Sequence, residues 1–183
     1  MANHFTRTTS ALDQAEADRL KEYLEEQSTR QEALDITSSS SRNGDNIVEE
    51  NAAASSQKDI PSVFIDEGAH KYVVIYATEP TPRGSSGTGT GECLRRTFVV
   101  SQRGAPYHRI VAESFLPKLE ETGYKYIHIQ GGGRIYRNDH AKRIRVFGYS
   151  YGFGQGNHEE ATQVIKSDQR FQQYDVTWSN DGY

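Results

Sequence analysis

Tyr126-Ile-His-Ile-Gln-Gly-Gly-Gly-Arg-Ile-Tyr136 carries an alternating, strand-like pattern into three consecutive glycines and straight on to an arginine. Inside an element a glycine costs about 0.5–1 kcal/mol relative to alanine, but it lets other backbone approach closely and tolerates φ > 0. Three in a row therefore need a reason. One reading is a strand bend or bulge between hairpin-like segments. The other is a bare backbone surface that lets Arg134 meet an anion.

The flanks of this stretch set the fold class. Ser62-Val-Phe-Ile65 and His70-Lys-Tyr-Val-Val-Ile-Tyr76 have strand composition, rich in β-branched and aromatic residues, as does Leu94-Arg-Arg-Thr-Phe-Val-Val100. Pro80 to Gly91 reads as a loop, PTPRGSSGTGTG. Tyr107 to Glu121 is a predicted helix with Ile110, Val111, Phe115, Leu116 and Leu119 mostly on one side, and Pro117 should kink or restart it. Arg143 to Tyr149 alternates basic with apolar residues, the pattern of a strand with one wet face. Asn157-His-Glu-Glu160 resembles a helix N-cap with a glutamate three residues on, opening a helix through about Asp168; Tyr174 to Trp178 is a final strand. The expectation is an α/β domain with a mixed β-sheet of about five to six strands flanked by two helices.

That domain is expected to occupy residues 61–183. Residues 1–60 hold six basic against twelve acidic side chains, whereas residues 61–183 hold fifteen against thirteen. An acidic extension thus precedes a mildly basic domain. With only 34% hydrophobic residues overall and a mean hydropathy of -0.79, the extension reads as disordered or loosely helical. Ser10 to Leu24 is its best helix candidate, with Leu12, Leu20, Tyr23 and Leu24 near one face, a segment suited to docking on a partner. No signal peptide, transit peptide or transmembrane span is expected, because no long apolar run exists and acids come early. The single cysteine, Cys93, suits a reducing compartment, and a cytoplasmic location is expected.

The chemistry-bearing residues are cations, glycines and one histidine. The domain's histidines, at 70, 108, 128, 140 and 158, stand singly, and Cys93 has no partner at ligand spacing, so no metal is expected. Neither a GxxxxGK[ST] loop nor a cysteine phosphatase loop is present, and Cys93 reads as a structural thiol. His108 opens a predicted helix, where backbone N–H groups favour an anion and a neutral imidazole can serve as general base; capping or packing is the plainer alternative. Gly148-Tyr-Ser-Tyr-Gly-Phe-Gly-Gln-Gly156 follows a strand, so Ser150 and the amides after it form either an anion cradle or a flexible loop. His128 is expected to be half-buried in a strand, His70 and His140 on the surface, and Trp178 and Tyr183 to anchor the C-terminus by packing.

Taken together, His70-Lys-Tyr-Val-Val-Ile75, Tyr107-His108, Gly131-Gly-Gly-Arg-Ile135, Val146-Phe-Gly-Tyr-Ser150 and the terminal Val176-Thr-Trp-Ser-Asn-Asp-Gly-Tyr183 resemble the small phosphohistidine phosphatases of the janus/ocnus family. The likeness runs from Phe64 to Tyr183. It implies a metal-free enzyme without cofactor that cleaves the P–N bond of phosphohistidine and, in related proteins, phospholysine. The family's catalytic histidine falls on His108, and its phosphate-binding positions on Lys71 and Arg134. Ser150, Tyr151 and Gly152 match its substrate loop, although Tyr151 and Gly152 differ in side chain from the family pattern. A further family arginine matches Arg103, Arg95 or Arg96, since Arg103-Gly104 lies closer to His108 than usual. Arg109, directly after His108, Pro117 and the acidic extension are departures, and His158 lies where a family histidine also sits near substrate.

On that resemblance the three glycines are expected to form a tight turn through which Arg134 reaches the pocket. Phosphohistidine-containing proteins are the expected partners of a monomer, with no nucleic acid and no membrane. Lys142-Arg143-Ile-Arg145 with Arg134 and Arg137 makes a basic patch, but no aromatic RNA-binding motif accompanies it. The alternative is a non-catalytic phosphohistidine reader or developmental scaffold, which would not need the base.

Overall fold

The computed structural model describes residues 4–39, 60–79 and 94–182. Residues 1–3, 40–59, 80–93 and Tyr183 lie outside them, and with them the loop expected from Pro80 to Gly91, Cys93 and the packing role expected of Tyr183. Among the described residues six strands form one mixed sheet: β1 (Val63–Phe64), β2 (Gly68–Thr78), β3 (Arg95–Ser101), β4 (Lys125–Asn138), β5 (Arg143–Phe147) and β6 (Asp175–Trp178), in the order β1-β3-β2-β4-β5-β6. β2 pairs antiparallel with β3 and β4, β4 antiparallel with β5, and the outer pairs β1/β3 and β5/β6 are parallel.

The period-two alternation of β2 splits the core in two. Val73, Ile75 and Ala77 join Phe98, Val100, Ile127 and Ile129 beneath helix α2 (His108–Glu121). Tyr72 and Val74 face the other way, with Val99, Ile135, Ile144 and Val146, onto helix α3 (His158–Ser167) and the following 3-10 turn, Gln169–Phe171. Both faces of the sheet centre are thereby covered, as the near-continuous apolar run of β2 requires. Val111, Phe115, Leu116 and Leu119 of α2 are buried.

Three expectations about the elements need correction. Helix α2 does not restart at Pro117 but continues through it to Glu121. The proline sits on its exposed side, where the carbonyl it deprives of a partner faces water instead of the core. His128, expected half-buried, is exposed on β4. Most important, the three glycines make no turn: β4 continues from Lys125 to Asn138 straight through them. The irregularity comes just before, where Val74 pairs with Gly131 but Ile75 with Ile129, leaving Gln130 as an extra residue. That is a β-bulge, one half of the plainer reading of this stretch.

The predicted N-cap is present in modified form. Asn157 Oδ1 accepts from the Glu160 amide at 3.1 Å and its Nδ2 donates to the Glu160 carboxylate at 3.1 Å, while its backbone N–H donates to Gln130 Oε1 at 2.6 Å instead of to Glu160. Freed from that role, the Glu160 carboxylate takes hydrogen bonds from Tyr76 and Thr97, each at 2.7 Å. It ties α3 to the sheet, and these donors hold it below the usual carboxylate range against the opposing effect of burial.

In the extension, helix α1 spans His4–Ser39, longer than the Ser10–Leu24 pattern. It packs on the chain itself. Ala17 and Leu24 are buried in the α2-side core with Phe153, whereas Tyr23 is 49% exposed.

Candidate active site

Antiparallel pairing places residues directly opposite one another on the same face. Lys71 of β2 lies opposite Arg134 of β4. Because Lys71 alternates in phase with Val73 and Ile75, both cations belong to the face that carries α2. Like charges directly opposite each other destabilise a sheet. An anion bound between them converts that cost into attraction.

His108 is the first residue of α2 and is only 2% exposed. Tyr107, the N-cap, is extended and offers no side-chain acceptor to the first turn. The ring Nε2 lies 2.9 Å from the Gly133 carbonyl. A carbonyl only accepts, so Nε2 carries the hydrogen and donates it, leaving the lone pair on Nδ1. Among the described residues the hydrogen bond of the His108 ring is this one, made through Nε2. Burial above all, and then the nearby charges of Lys71 and Arg134, push the imidazole down to about 4, with the Gly133 bond opposing. His108 is therefore neutral at physiological pH and holds one available lone pair within the field of two cations.

The glycines explain how these parts fit. A Cβ on Gly131 would lie 2.4 Å from the Gln155 carbonyl oxygen; on Gly132 it would lie 2.6 Å from the Tyr72 carbonyl and 3.1 Å from the His108 ring; on Gly133 it would lie 2.5 Å from the Phe147 carbonyl and 3.1 Å from His158. The triplet is a strand floor without side chains, on which two histidine rings and the 148–156 loop rest directly. Arg134 reaches the site because the strand continues.

The loop is fastened to that floor. Gly132 N donates to Gly154 O at 3.1 Å, and Gly156 N donates to Gly132 O at 2.9 Å. Ser150 and Gly154 exchange a pair of backbone bonds, and Ser150 is 1% exposed. Its Oγ accepts from the Phe153 amide at 3.1 Å. Tyr151 is 47% exposed with its ring edge-on to Tyr149, and Gly152 is buried. The loop is thus closed on itself through Ser150 and backbone, while the Tyr151 side chain is exposed at the periphery.

Of the three candidate upstream arginines, register separates two from the site. Arg95 and Arg96 pair with Thr78 and Ala77, at the far end of β2 from Lys71. Six residues of strand put them about 20 Å away. Arg96 is spent on Ser62, Tyr124 and the Ile60 carbonyl, and Arg95 on Glu160. Arg103 is at the correct end, with its amide on Asp66 at 2.7 Å. Arg109 pairs with Glu113 at 2.7 Å along α2.

His158 is on the opposite face. It is 2% exposed; Nε2 donates to the Gly148 carbonyl at 2.8 Å, and Nδ1 accepts from the Tyr72 hydroxyl. Both nitrogens are committed, so it is a packing residue here. Sequence reading missed Tyr72 as its partner, although the alternation of β2 places Tyr72 on that face. Trp178, expected to pack, is 43% exposed. It lines a cleft of about 510 Å³ with Tyr136, Phe147, Arg145 and Ala69, next to the cation pair because Phe147 is the ladder partner of Arg134. Among the described residues no group of three or more His, Cys, Asp or Glu is placed to hold a metal, and no helix is long and apolar enough to cross a membrane.

The same span of chain is matched by known proteins. The model of the Janus/Ocnus family matches residues 57–175, so helix α1 lies ahead of the matched region. The pig 14 kDa phosphohistidine phosphatase is 35% identical over 133 residues, 72% of this chain and 99% of its own length. The human protein of that name is 33% identical over 125 residues, 68% and 94% of the two lengths. The sex-regulated protein janus-A of Drosophila pseudoobscura pseudoobscura is 30% identical over 68% of this chain and 78% of its own. Over residues 57–175 this chain belongs to the Janus/Ocnus family.

Proposed function

We propose that this chain is a protein phosphohistidine phosphatase that hydrolyses the P–N bond with its own side chains and without a metal ion. The observation that carries the reading is the meeting of Lys71, Arg134 and a neutral His108 on one face of the sheet, with the histidine tautomer fixed by Gly133. Lys71 and Arg134 neutralise the phosphoryl dianion. The Ser150 hydroxyl and the loop amides of Tyr151 and Gly152 supply directional donors to its oxygens. His108 Nδ1 takes a proton from a water in line with the P–N bond. As the new P–O bond forms, the P–N electron pair returns to the imidazole nitrogen of the substrate histidine. The proton that His108 took from the water passes, by way of solvent, to that departing nitrogen, and the products are inorganic phosphate and histidine. Imidazole leaves readily, so positioning and charge are sufficient catalysis. The cleft beside Arg134, with Phe147 and Trp178 in its wall, accommodates polypeptide flanking the phosphohistidine.

The test is hydrolysis of a phosphohistidine peptide in EDTA by the wild type and by His108→Ala. Turnover that survives the chelator and is lost in the variant supports the proposal. Binding of the peptide without cleavage by the wild type replaces it with a phosphohistidine reader. Acid-labile phosphate retained on His108 during turnover would replace the general base with a covalent step.

A further inference from the structure

The extension reaches the proposed phosphate loop. Gln14, Ala17, Lys21 and Leu24 recur at spacings of three and four, on one stripe of α1. Ala17 and Leu24 are buried in the core cluster that contains Phe153. Between them Lys21 Nζ donates to the Gly152 carbonyl at 3.0 Å, and Gln14 Nε2 donates to the same oxygen at 3.3 Å. The Lys21 ammonium also sits 5.6 Å from the centre of the Phe153 ring. Its other charge contact, to Asp18 at 3.9 Å, is long and solvent-exposed.

The Gly152 carbonyl shares a planar trans peptide with the Phe153 amide, so the two point in opposite directions. That amide donates to Ser150 Oγ at 3.1 Å. A hydroxyl has one hydrogen and two lone pairs. With one lone pair engaged by Phe153, the Ser150 hydrogen is directed elsewhere, and the site offers an anion as its acceptor. A cation on the carbonyl end of a peptide polarises it and strengthens the N–H at the other end.

We propose that Lys21 is a positioning residue for the phosphate site: through the Gly152–Phe153 peptide it orients the Ser150 hydroxyl as a donor to the phosphoryl group. The inference rests on the site reading above. It makes α1 part of the working enzyme instead of an appendage. Gln14 holds the same carbonyl as a neutral second donor, so the effect of losing Lys21 is graded.

The experiment uses the full chain, with inorganic phosphate as probe and backbone amide shifts as readout. Lys21→Met, which keeps the apolar stem, is expected to weaken phosphate binding about three- to tenfold and to shift the Phe153 amide resonance, without loss of thermal stability beyond that of the control Arg19→Met on the exposed side of α1. Lys21→Arg restores binding. In a Ser150→Ala background Lys21→Met has no further effect on phosphate. Unchanged binding in Lys21→Met overturns the inference, and so does an equal loss with and without Ser150, which would mean a direct field effect. Turnover of a phosphohistidine peptide is followed in parallel. Absent wild-type turnover with phosphate binding still dependent on Lys21 sinks the hydrolase reading alone; normal turnover with Lys21-independent binding sinks this inference alone.

Discussion

His108 and His158 invite comparison. Each opens a helix, each is 2% exposed, and each donates Nε2–H to a backbone carbonyl, Gly133 or Gly148. Each rests on a different glycine of the same triplet, at 3.1 Å from the position a Cβ would take. Burial lowers the pKa of both. They differ at the second nitrogen: Nδ1 of His158 accepts from Tyr72, whereas Nδ1 of His108 lies in the field of Lys71 and Arg134. Burial and a displaced pKa are therefore common to both and do not single out the proposed base. What distinguishes them is whether the lone pair is already taken.

Substitution by glutamine breaks this comparison most sharply, since its amide can replace Nε2–H as donor but provides no basic nitrogen. His108→Gln is expected to keep the fold and to lose about 10²–10⁴ of kcat, measured on a phosphohistidine peptide with circular dichroism as the fold control. His158→Gln should behave in the opposite sense. It disturbs the pairing with the buried Tyr72 hydroxyl and costs about 1–3 kcal/mol of stability, read as a lowered Tm, with most of the activity retained at a temperature where the protein is folded. Comparable catalytic loss in both would show that the two sites act as one.

The second prediction concerns the cations that give His108 its setting. Arg134→Ala removes a fork of charge-assisted donors from the ladder position paired with Lys71, on the same face of the sheet, and should cost roughly a hundredfold in kcat/KM. It should also relieve the like-charge pairing in the ladder, so stability is expected to hold or rise slightly. A drop in Tm together with activity would mean that Arg134 serves the sheet more than the substrate.

How much of this was open to sequence reading follows from the kind of interaction involved. Strand and helix positions came from periodicity, which local residues set by themselves, and β2, β3, α2, β5, α3 and β6 lie where the pattern put them within a few residues. The glycine triplet shows the limit. Its composition announced close backbone approach, but not whether a turn or a strand made use of it, because the atoms that need the space belong to Tyr72, Phe147 and Gln155, brought there by strand pairing and by the loop after β5. The resemblance put Lys71 and Arg134 on one list; only the register made them directly opposite. His158 could not be separated from His108 because the distinguishing partner, Tyr72, is 86 residues away. Lys21 gave no signal beyond its place on a helical stripe.

The pH dependence sharpens the comparison further. His108 is displaced to about 4, so the acid limb of kcat/KM should bend near that value and not near the ordinary 6.5, falling about tenfold per unit below it. Lys71→Met removes a charge that disfavours the imidazolium, so the limb should move to higher pH. The stability consequence has a definite sign. The unfolded chain takes up the His108 proton near 6.5 and the folded chain only near 4, so the unfolded state binds more protons in between. The stabilisation is complete above 6.5 and is lost as pH falls toward 4, by at most about 1.4 kcal/mol per unit for this group. His158 adds in the same direction. In His158→Gln the acid destabilisation should shrink while the kinetic limb stays in place, which a purely global unfolding origin of the limb would not allow.

The smallest expected effect tests the wall of the site. Trp178 is 43% exposed and shares the cleft with Phe147, directly beside the strand position of Arg134. It pairs with Val146 on the edge strand β6, so Trp178→Ala should leave hydrolysis of a small phosphoramidate unchanged. A protein or peptide substrate would lose one aromatic contact there. Truncating a half-exposed aromatic at a rim costs less than at a buried anchor, so KM should rise about two- to fivefold with kcat intact. A change in kcat for the small substrate would mean that the cleft supports the catalytic strands and not the polypeptide. Equal KM for peptide and small substrate in the wild type and the variant would place the flanking polypeptide elsewhere, on the side of Tyr149 and Tyr151.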